Sequence, residues 1–538
     1  MFYIVNYTWF YEKFTLDRAN VKNDVSGKFL IIKEKEEKEV YLCDMAIVTK
    51  RNVDYYDDFT RLFLKDNVLL NKSPSYQDNF SIKITKDNEH SVFTQVTSDK
   101  SYYKLVVTQT KPYAKKILSQ LFDLGVISKK NPYSQDIELA KKYLLSHNRS
   151  RYAFNKGVNF LFSKNKIDFI NTTALDELSI NLAYMDKKES LNLKFTHDIV
   201  GRMPINIFIG KNGAGKSYTI EQIIKCYLNE RNQHLSDNIN KIIMISNTVN
   251  DNYPSTSKSV RAHHNKNKDF TNDDYEYFST LRGKKYSKGD GVETFDLSKL
   301  INEMIKREIT KEMPFNALKI LEDVIKDNIK CTISGIDSNC TSFKSLSELL
   351  SSAESHHGIN DDQWLTTSHL SLVRDGRVIK LSSGQENFIL IISCILTSIQ
   401  NNSLVFIDEL ENFLHPNFIS QAMKTLKQCL IETNSICVLA THSLHIAREI
   451  PRVGVTIFEN NPAINEIILY NPDIESYSCN LQLMSNYIFN TKEESSIFDS
   501  TLRNVAKKYK NKKDLIDDLG ETTSREIILS IADRINEN

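Results

Sequence analysis

Neither sign of charge prevails in this sequence: 69 Lys and Arg stand against 68 Asp and Glu, a net charge of +1. A field that weak excludes a chain that draws in nucleic acid with its whole surface, so any such contact needs a local patch. Cysteine pairing is missing as well. The eight cysteines (Cys43, Cys226, Cys331, Cys340, Cys394, Cys429, Cys437 and Cys479) are scattered, with no C-x-x-C pair. Cys394 and Cys437 sit in apolar runs, where a free thiol behaves as a small hydrophobe. The pattern predicts a reduced, intracellular protein with a cytoplasmic location. Long apolar runs are absent too. The longest, Phe388 to Ile399, carries Ser and Thr and falls short of the ~20 residues that a bilayer requires. The start, "MFYIVNYTWFYEKF", lacks a basic region and a clean apolar core, so no signal peptide and no membrane contact are expected. No internal repeat is visible.

What is present fits a soluble globular chain, 41% hydrophobic and 25% charged. Its 538 residues exceed one ordinary core and predict two or three domains. Residues 1–165 read as an α+β domain: "GKFLIIKEKEEKEVYLCDM" as two strands around a charged turn, "SYYKLVVTQT" as a third strand. "KPYAKKILSQLFDLGVIS" carries Ile117, Leu118, Leu121 and Leu124 at helical spacing. Residues 166–470 form an α/β segment with an insert at about 250–370, and 471–538 a helical C-terminal region.

Within the insert, 250–292 is polar and reads as a loop, and about 295–355 as mostly helical. The stripe Leu297, Leu300, Ile301, Met304 and Ile305 is too short for a long coiled-coil arm. "LSLVRDGRVIKL" reads as a hairpin with Asp375-Gly376 at its turn. An apolar helix (388–399), a strand "SLVFID", an amphipathic helix (417–431) and a strand "ICVLATH" follow. In the tail, Thr523 and Glu526 suggest a capping box.

Four stretches carry chemistry. "INIFIG" runs as a strand into Gly210-Lys211-Asn212-Gly213-Ala214-Gly215-Lys216-Ser217, which fits G-x-x-x-x-G-K-[ST] between a strand and a helix. Gly210, Asn212, Gly213 and Gly215 would let backbone N–H groups curl around phosphates. Lys216 would reach the β- and γ-phosphates, and the Ser217 hydroxyl would ligate Mg²⁺. In "SLVFIDELENFLHP", Asp408 ends an apolar strand, suited to hold Mg²⁺ through water, and Glu409 can orient or deprotonate a water. "LSSGQE" stands at the mouth of a helix, where Ser382, Gly384 and Gln385 offer donors to an anion; by itself the stretch reads equally as an N-cap turn. "ATHS" puts His442 at another strand end, 442 − 409 = 33 residues after Glu409, room for one helix and one strand.

This ordered set resembles the ABC-type ATPases, in the soluble branch that includes SMC and RecF proteins, over roughly residues 170–460. The resemblance implies an ABC-type P-loop head that uses ATP and Mg²⁺ and a homodimer, or a higher homo-oligomer, that sandwiches the nucleotide. It assigns Ser382 and Gly384 to a γ-phosphate held by the other subunit, Glu409 as catalytic base and His442 as γ-phosphate sensor. Ser383 stands where transporters have Gly. No Gln follows "KIIMIS" where that family often has one, and Asn247 is the candidate for its role.

"IDELENFLHP" and "ISNTVNDNYP" are similar to stand-alone ATPases of anti-phage defence, in particular the Septu ATPase subunit and its retron-associated relatives; "SNYIFNTKEESSIF" points the same way. Those work with a separate HNH-type nuclease subunit. A DNA-binding ATPase of repair or chromosome maintenance is the alternative.

His263-His264-Asn265 hints at an HNH core but lies in the polar stretch, where a solvated loop is the expected reading. The same stretch interleaves Lys258, Arg261, Lys266, Lys268, Arg282, Lys284, Lys285 and Lys288 with Tyr275, Tyr277, Phe278 and Tyr286, a composition that can grip phosphates and stack bases. Nucleic acid, retron RNA or DNA or a target, is therefore a possible partner.

Overall fold

The computed structural model describes residues 2–6, 27–37, 40–48, 53–65, 81–83, 92–129, 135–145, 148–162, 175–184, 187–197, 201–228, 233–248, 253–254, 275–279, 297–309, 316–336, 343–346, 348, 369–461, 466–489, 502, 504–509, 511–519 and 525–535. They form two compact units, Met1–Tyr477 and Ser478–Asn538.

The first unit opens with strands β1 (Phe2–Asn6), β2 (Gly27–Glu37), β3 (Val40–Val48), β4 (Val53–Leu64), β5 (Ser81–Lys83) and β6 (Val92–Val96), in the sheet order β5-β1-β2-β3-β4-β6. Only β1 and β2 pair in parallel. Side chains alternate between the faces of a strand. Accordingly Leu30, Ile32, Tyr41, Cys43, Met45 and Ile47 join one apolar cluster, and Phe29, Ile31, Ala46 and Val48 another on the opposite face. The first face is covered by the helices Asp99–Thr108 and Lys111–Gln120 and by the segment 148–162, through Tyr102, Leu105, Ile117, Leu118, Val158 and Leu161.

One expectation fails here. "SYYKLVVTQT" is helical over Asp99–Thr108, not a strand. Its Val106-Val107-Thr108 run favours a strand locally, but Tyr102 and Leu105, one turn apart, are both fully buried. Ser98 caps the helix by accepting from the Ser101 N–H.

The head begins with the hairpin β7 (Glu177–Tyr184) and β8 (Lys187–Lys194) and a short ribbon, β9 (Thr196–His197) with β10 (Gly201–Arg202). Then come β11 (Ile205–Gly210), β12 (Lys241–Ser246) and β13 (Tyr275–Ser279). A small antiparallel sheet follows, ordered β15-β14-β16-β17, from β14 (Thr332–Ile336), β15 (Phe343–Ser345), β16 (His369–Arg374) and β17 (Arg377–Val378). The chain returns through β18 (Ser403–Asp408), β19 (Ile436–Thr441), β20 (Val455–Asn461) and β21 (Glu466–Tyr470). The central sheet has the order β13-β12-β18-β19-β11-β20-β21, with every pair parallel except β20–β21.

Parallel strands covered on both faces read as unbroken apolar runs, and β11, β12, β18 and β19 are buried at every position. Phe208, Met244, Phe406 and Val438 meet the helix Lys216–Leu228 and the β7–β8 hairpin in one core. The crossover from β18 to β19 is the helix Pro416–Glu432.

Two parts of the insert differ from expectation. Residues 275–279, read as polar loop, are an edge strand with Tyr275 and Phe278 buried. Part of the stretch read as mostly helical is β14 and β15, which follow the helices Leu297–Ile309 and Ala317–Ile329. The β16–β17 turn holds Asp375 (φ 50°) and Gly376 (φ 70°), both left-handed, as a two-residue hairpin requires. The helix Ser383–Ser398 is fastened to the insert: the Arg307 guanidinium donates to the Thr397 carbonyl.

The second unit contains the helices Leu481–Phe489, Lys512–Leu519 and Arg525–Ile535. Its apolar cluster unites Leu502, Ala506, Leu515, Ile528, Ile531 and Ala532. Thr523 of the expected capping box lies outside the described residues.

Candidate functional site

Because β11, β12, β18 and β19 run parallel, their carboxyl ends share one edge of the sheet, where open α/β sheets bind ligands. The phosphate loop leaves β11 at Gly210. A Cβ there would strike the Phe458 backbone carbonyl on β20, so only glycine allows the strands to approach. Gly213 (φ 79°) and Gly215 (φ 96°) are left-handed, and a Cβ at Gly215 would also meet the Ile467 side chain. These turns deliver the chain into the helix Lys216–Leu228.

Lys216 is buried, and its Nζ donates to the Gly210 carbonyl at 2.9 Å and the Lys211 carbonyl at 3.1 Å. Burial pulls its ammonium pKa down, while Glu409, Asp408 and Glu411 push it back up. An ammonium held under a backbone loop by two neutral carbonyls can exchange those acceptors for the oxygens of an anion.

Asp408 ends β18 and is buried; its carboxyl pKa is raised by burial and lowered by hydrogen bonds from Tyr253 and Ser217. The Tyr253 hydroxyl donates to its Oδ2 at 2.7 Å. The Ser217 hydroxyl and the Asp408 carboxylate thus stand side by side, one neutral and one anionic oxygen donor. That pair suits Mg²⁺, which takes one or two protein oxygens and fills its octahedron with phosphate and water. Among the described residues no group of three or more His, Cys, Asp or Glu could hold a metal by itself.

Glu409 is left-handed at φ 59°, an uncommon conformation for a residue with a side chain. Its N–H donates to the Ala440 carbonyl at 2.9 Å, and its carbonyl accepts from Asn247 Nδ2 at 3.2 Å. Its Oε2 accepts from Asn412 at 2.8 Å, and its Oε1 lies 3.6 Å from His442 Nδ1. The loop is therefore tied to the ends of β19 and β12.

Glu411 escaped the sequence reading. Its Oε1 accepts from the Thr441 hydroxyl at 2.6 Å and the His442 N–H at 3.0 Å, and lies 3.4 Å from His442 Nδ1. Its side chain is 9% exposed. Tyr253 was equally unread. The repeated acid in "DELE" is the only sequence signal for the first, and nothing local marks the second.

Asn247 engages its amide in the loop after β18, donating to the carbonyls of Asn412 (2.7 Å) and Glu409. Asn387, on the helix Ser383–Ser398, completes the knot by donating to the Asn412 carbonyl at 3.1 Å. Ser382 caps that helix in a full capping box: its Oγ accepts from the Gln385 N–H at 3.3 Å, and Gln385 Oε1 accepts from the Ser382 N–H at 3.0 Å. The Gln385 side chain is thus engaged within its own helix, while the Ser382 end is exposed. At Gly384 an added Cβ would lie 3.0 Å from the Phe413 carbonyl, so the helix start packs closely against the loop after Glu409.

The expected basic and histidine residues of the insert, from Lys258 to Lys268 and from Arg282 to Lys288, lie outside the described residues. Of the aromatics, Tyr286 also lies outside the described residues and Tyr277 is partly buried. Tyr275 and Phe278 are buried in the central sheet, and Tyr275 donates to the Pro254 carbonyl at 2.9 Å, so neither of these two rings is available to a base.

The family described as an AAA domain of the AbiEii-toxin, type IV toxin–antitoxin kind matches residues 248–448, which hold Ser382, Asp408, Glu409 and His442 but begin after the phosphate loop. Protein ea59 of Escherichia phage lambda is 31% identical over 113 residues, about a fifth of either chain (21% each). A crystal structure of Stu0660 of Streptococcus thermophilus aligns with 55% of this chain and 77% of its own, at 13% identity and a TM-score of 0.27. The family match supports a P-loop ATPase domain of the ABC/SMC-like type in the head, a kind of domain that implies ATP as its nucleotide. Such a domain implies Mg²⁺ as well. No helix among the described residues is long and apolar enough to cross a membrane.

Proposed function

We propose that this chain is the ATP-hydrolysing subunit of an anti-phage defence assembly, that two copies close around ATP, and that the closed state controls a separate HNH-type nuclease. The observation that carries the catalytic part is the convergence of Lys216, Ser217, Asp408, Glu409 and His442 on one sheet edge. Lys216 exchanges its two backbone carbonyls for the β- and γ-phosphates. Ser217 and Asp408 would hold Mg²⁺, and the ion would supply positive charge beside the transferred phosphoryl group. Glu409 accepts a proton from the attacking water, and the left-handed turn fixed by Asn247 and Ala440 aims it. His442, braced by Glu411, faces the γ-phosphate. Ser382 presents an exposed, positively poled helix end to the γ-phosphate of the second copy.

The defence role is supported by the likeness of "IDELENFLHP" and "ISNTVNDNYP" to defence ATPases and by the toxin–antitoxin description of the matched family. The test challenges cells carrying this gene and its neighbours with phage. Protection should be lost with Lys216→Ala. A variant that protects as well as the wild type removes ATP from the mechanism; a wild type that gives no protection against a broad phage panel removes the defence role. Duplex-DNA-stimulated hydrolysis without a nuclease partner would instead favour a repair ATPase.

A further inference from the structure

The N-terminal sheet carries a surface that none of this explains. The helix Lys111–Gln120, "KPYAKKILSQ", contains three lysines and no acidic residue. Its inner positions Ala114, Ile117 and Leu118 are buried on the sheet, leaving Pro112, Tyr113, Lys116 and Gln120 outward. On one flank, Lys115 Nζ stands 4.5 Å from the centre of the Phe162 ring, and Lys129 Nζ stands 4.1 Å from the same ring. On the other, Lys28 Nζ lies 5.1 Å from the Tyr113 ring. Phe162 is 43% exposed and Tyr113 38%.

Two ammonium groups over one phenyl ring repel each other. Lys115 helps lower the pKa of Lys129, and Lys116 does the same to Lys28, in both cases second to burial. Among the described residues no carboxylate pairs with Lys115, Lys116 or Lys129; Lys129 donates instead to the neutral Asn159 Oδ1 at 3.1 Å. The contrast lies close by, where Lys65 and Lys141 of the same domain pair with Asp136 and Glu138. Like charges gathered without a counter-ion among the described residues favour an anionic partner, and the exposed rings add a demand that a plain anion does not meet. Flat apolar faces beside ammonium groups match unstacked bases beside phosphates.

We propose that this face, built on Lys115, Lys116, Lys129, Phe162 and Tyr113, binds single-stranded nucleic acid. On binding, Lys115 and Lys129 swing from the ring to phosphates, and Phe162 takes a base in their place. A duplex buries its base faces and offers the rings nothing, so single strands bind better. The site is separate from the ATP machinery and does not rest on the defence reading.

The experiment follows fluorescence anisotropy of a labelled single-stranded oligonucleotide of about 20 nucleotides, longer than the ~4–16 nucleotides that one single-strand site covers. The full chain is titrated at several salt concentrations between about 50 and about 200 mM. Lys115→Glu/Lys129→Glu should weaken binding at least tenfold while ATP hydrolysis is unchanged. Lys115→Ala/Lys129→Ala should flatten the plot of log affinity against log salt by about 1.4, since each phosphate contact on a single strand contributes ~0.7. Phe162→Ala should weaken binding roughly tenfold and leave that slope alone.

Wild-type affinity in the double-glutamate variant, or no binding at the lowest salt, overturns the proposal. So does a Phe162→Ala variant of full affinity whose bound oligonucleotide is displaced equally by polyglutamate. That result would make the face a dock for an acidic protein.

Discussion

The central sheet of the head and the sheet at the N-terminus are of similar size but are put together differently. Six of the seven central strands are parallel, so their carboxyl ends line up and four loops deliver Lys216, Asn247, Glu409 and His442 to one edge. In the N-terminal sheet all pairs but one are antiparallel, so carboxyl and amino ends of strands mix along each edge. Its polar interior is instead a closed knot. Asp123 accepts from the Tyr102 hydroxyl at 2.8 Å, the Val96 N–H at 3.0 Å and the Val126 N–H at 3.2 Å, all fully enclosed. One arrangement presents acids to a ligand; the other spends its acid on holding the chain together. Substitutions in the first should therefore change rates, and in the second stability.

The largest effect is expected at Glu409. Glu409→Gln retains the shape of the side chain but cannot take a proton, so hydrolysis should fall a hundredfold or more, the usual contribution of a general base. ATP binding, read by a fluorescent analogue, and the thermal midpoint should stay at wild-type values. A variant that hydrolyses normally removes Glu409 from the chemistry.

Glu411 should give a graded response, because it acts through Thr441 and His442 rather than on ATP. Glu411→Ala removes the acceptor for the Thr441 hydroxyl and the His442 N–H, and turnover should drop roughly tenfold to a hundredfold, part of what positioned proton transfer supplies. Glu411→Gln keeps an acceptor oxygen and should recover most of the loss. Equal damage in both variants would mean that the charge matters, not the positioning.

The converse test lies in the N-terminal domain. Burial raises the Asp123 carboxyl from 3.8 to about 6, ahead of the lowering effect of its hydrogen bonds. A raised folded-state pKa means that the native protein binds the proton more tightly than the unfolded chain. Its contribution is complete below the unfolded value of 3.8 and is lost as pH rises through about 6. Moving from about pH 7.5 to about pH 5 should stabilise the wild type by about 1–2 kcal/mol relative to Asp123→Asn. The measurement is the difference in thermal midpoint between the two proteins at each pH, and a difference independent of pH contradicts the assignment. ATP turnover should not follow it.

The same contrast explains what the sequence made legible. The parallel strands are buried on both faces and stand out as "INIFIG", "KIIMIS", "SLVFID" and "ICVLAT", and the phosphate loop stands out because Gly213 and Gly215 occupy left-handed backbone. Glu411 and Tyr253 stayed hidden because their partners are remote in the chain: 30 residues to Thr441, 155 residues to Asp408. Asp99–Thr108 was misread because two valines and a threonine outweigh Tyr102 and Leu105 locally, and only the sheet beneath reveals which pair is buried. β13 was missed because a five-residue strand inside a polar stretch earns its place through its neighbour β12 alone.

The smallest effect should come from Ser382, and it separates two roles that its position combines. As an N-cap it satisfies the Gln385 N–H, and Ser382→Ala should cost about 1 kcal/mol of stability. Asp is as good a cap as Ser, so Ser382→Asp should restore that stability. If capping were the whole role, Ser382→Asp would also hydrolyse ATP at the wild-type rate. If the exposed helix end meets the γ-phosphate of a second copy, the added carboxylate sits against a phosphate, where like charges repel. Turnover should then fall about tenfold with the thermal midpoint unchanged, and the loss should be greatest at protein concentrations where the wild type is dimeric. Ser382→Asp protein that is both stable and fully active would leave the helix end as a cap and remove the second copy from the catalytic site.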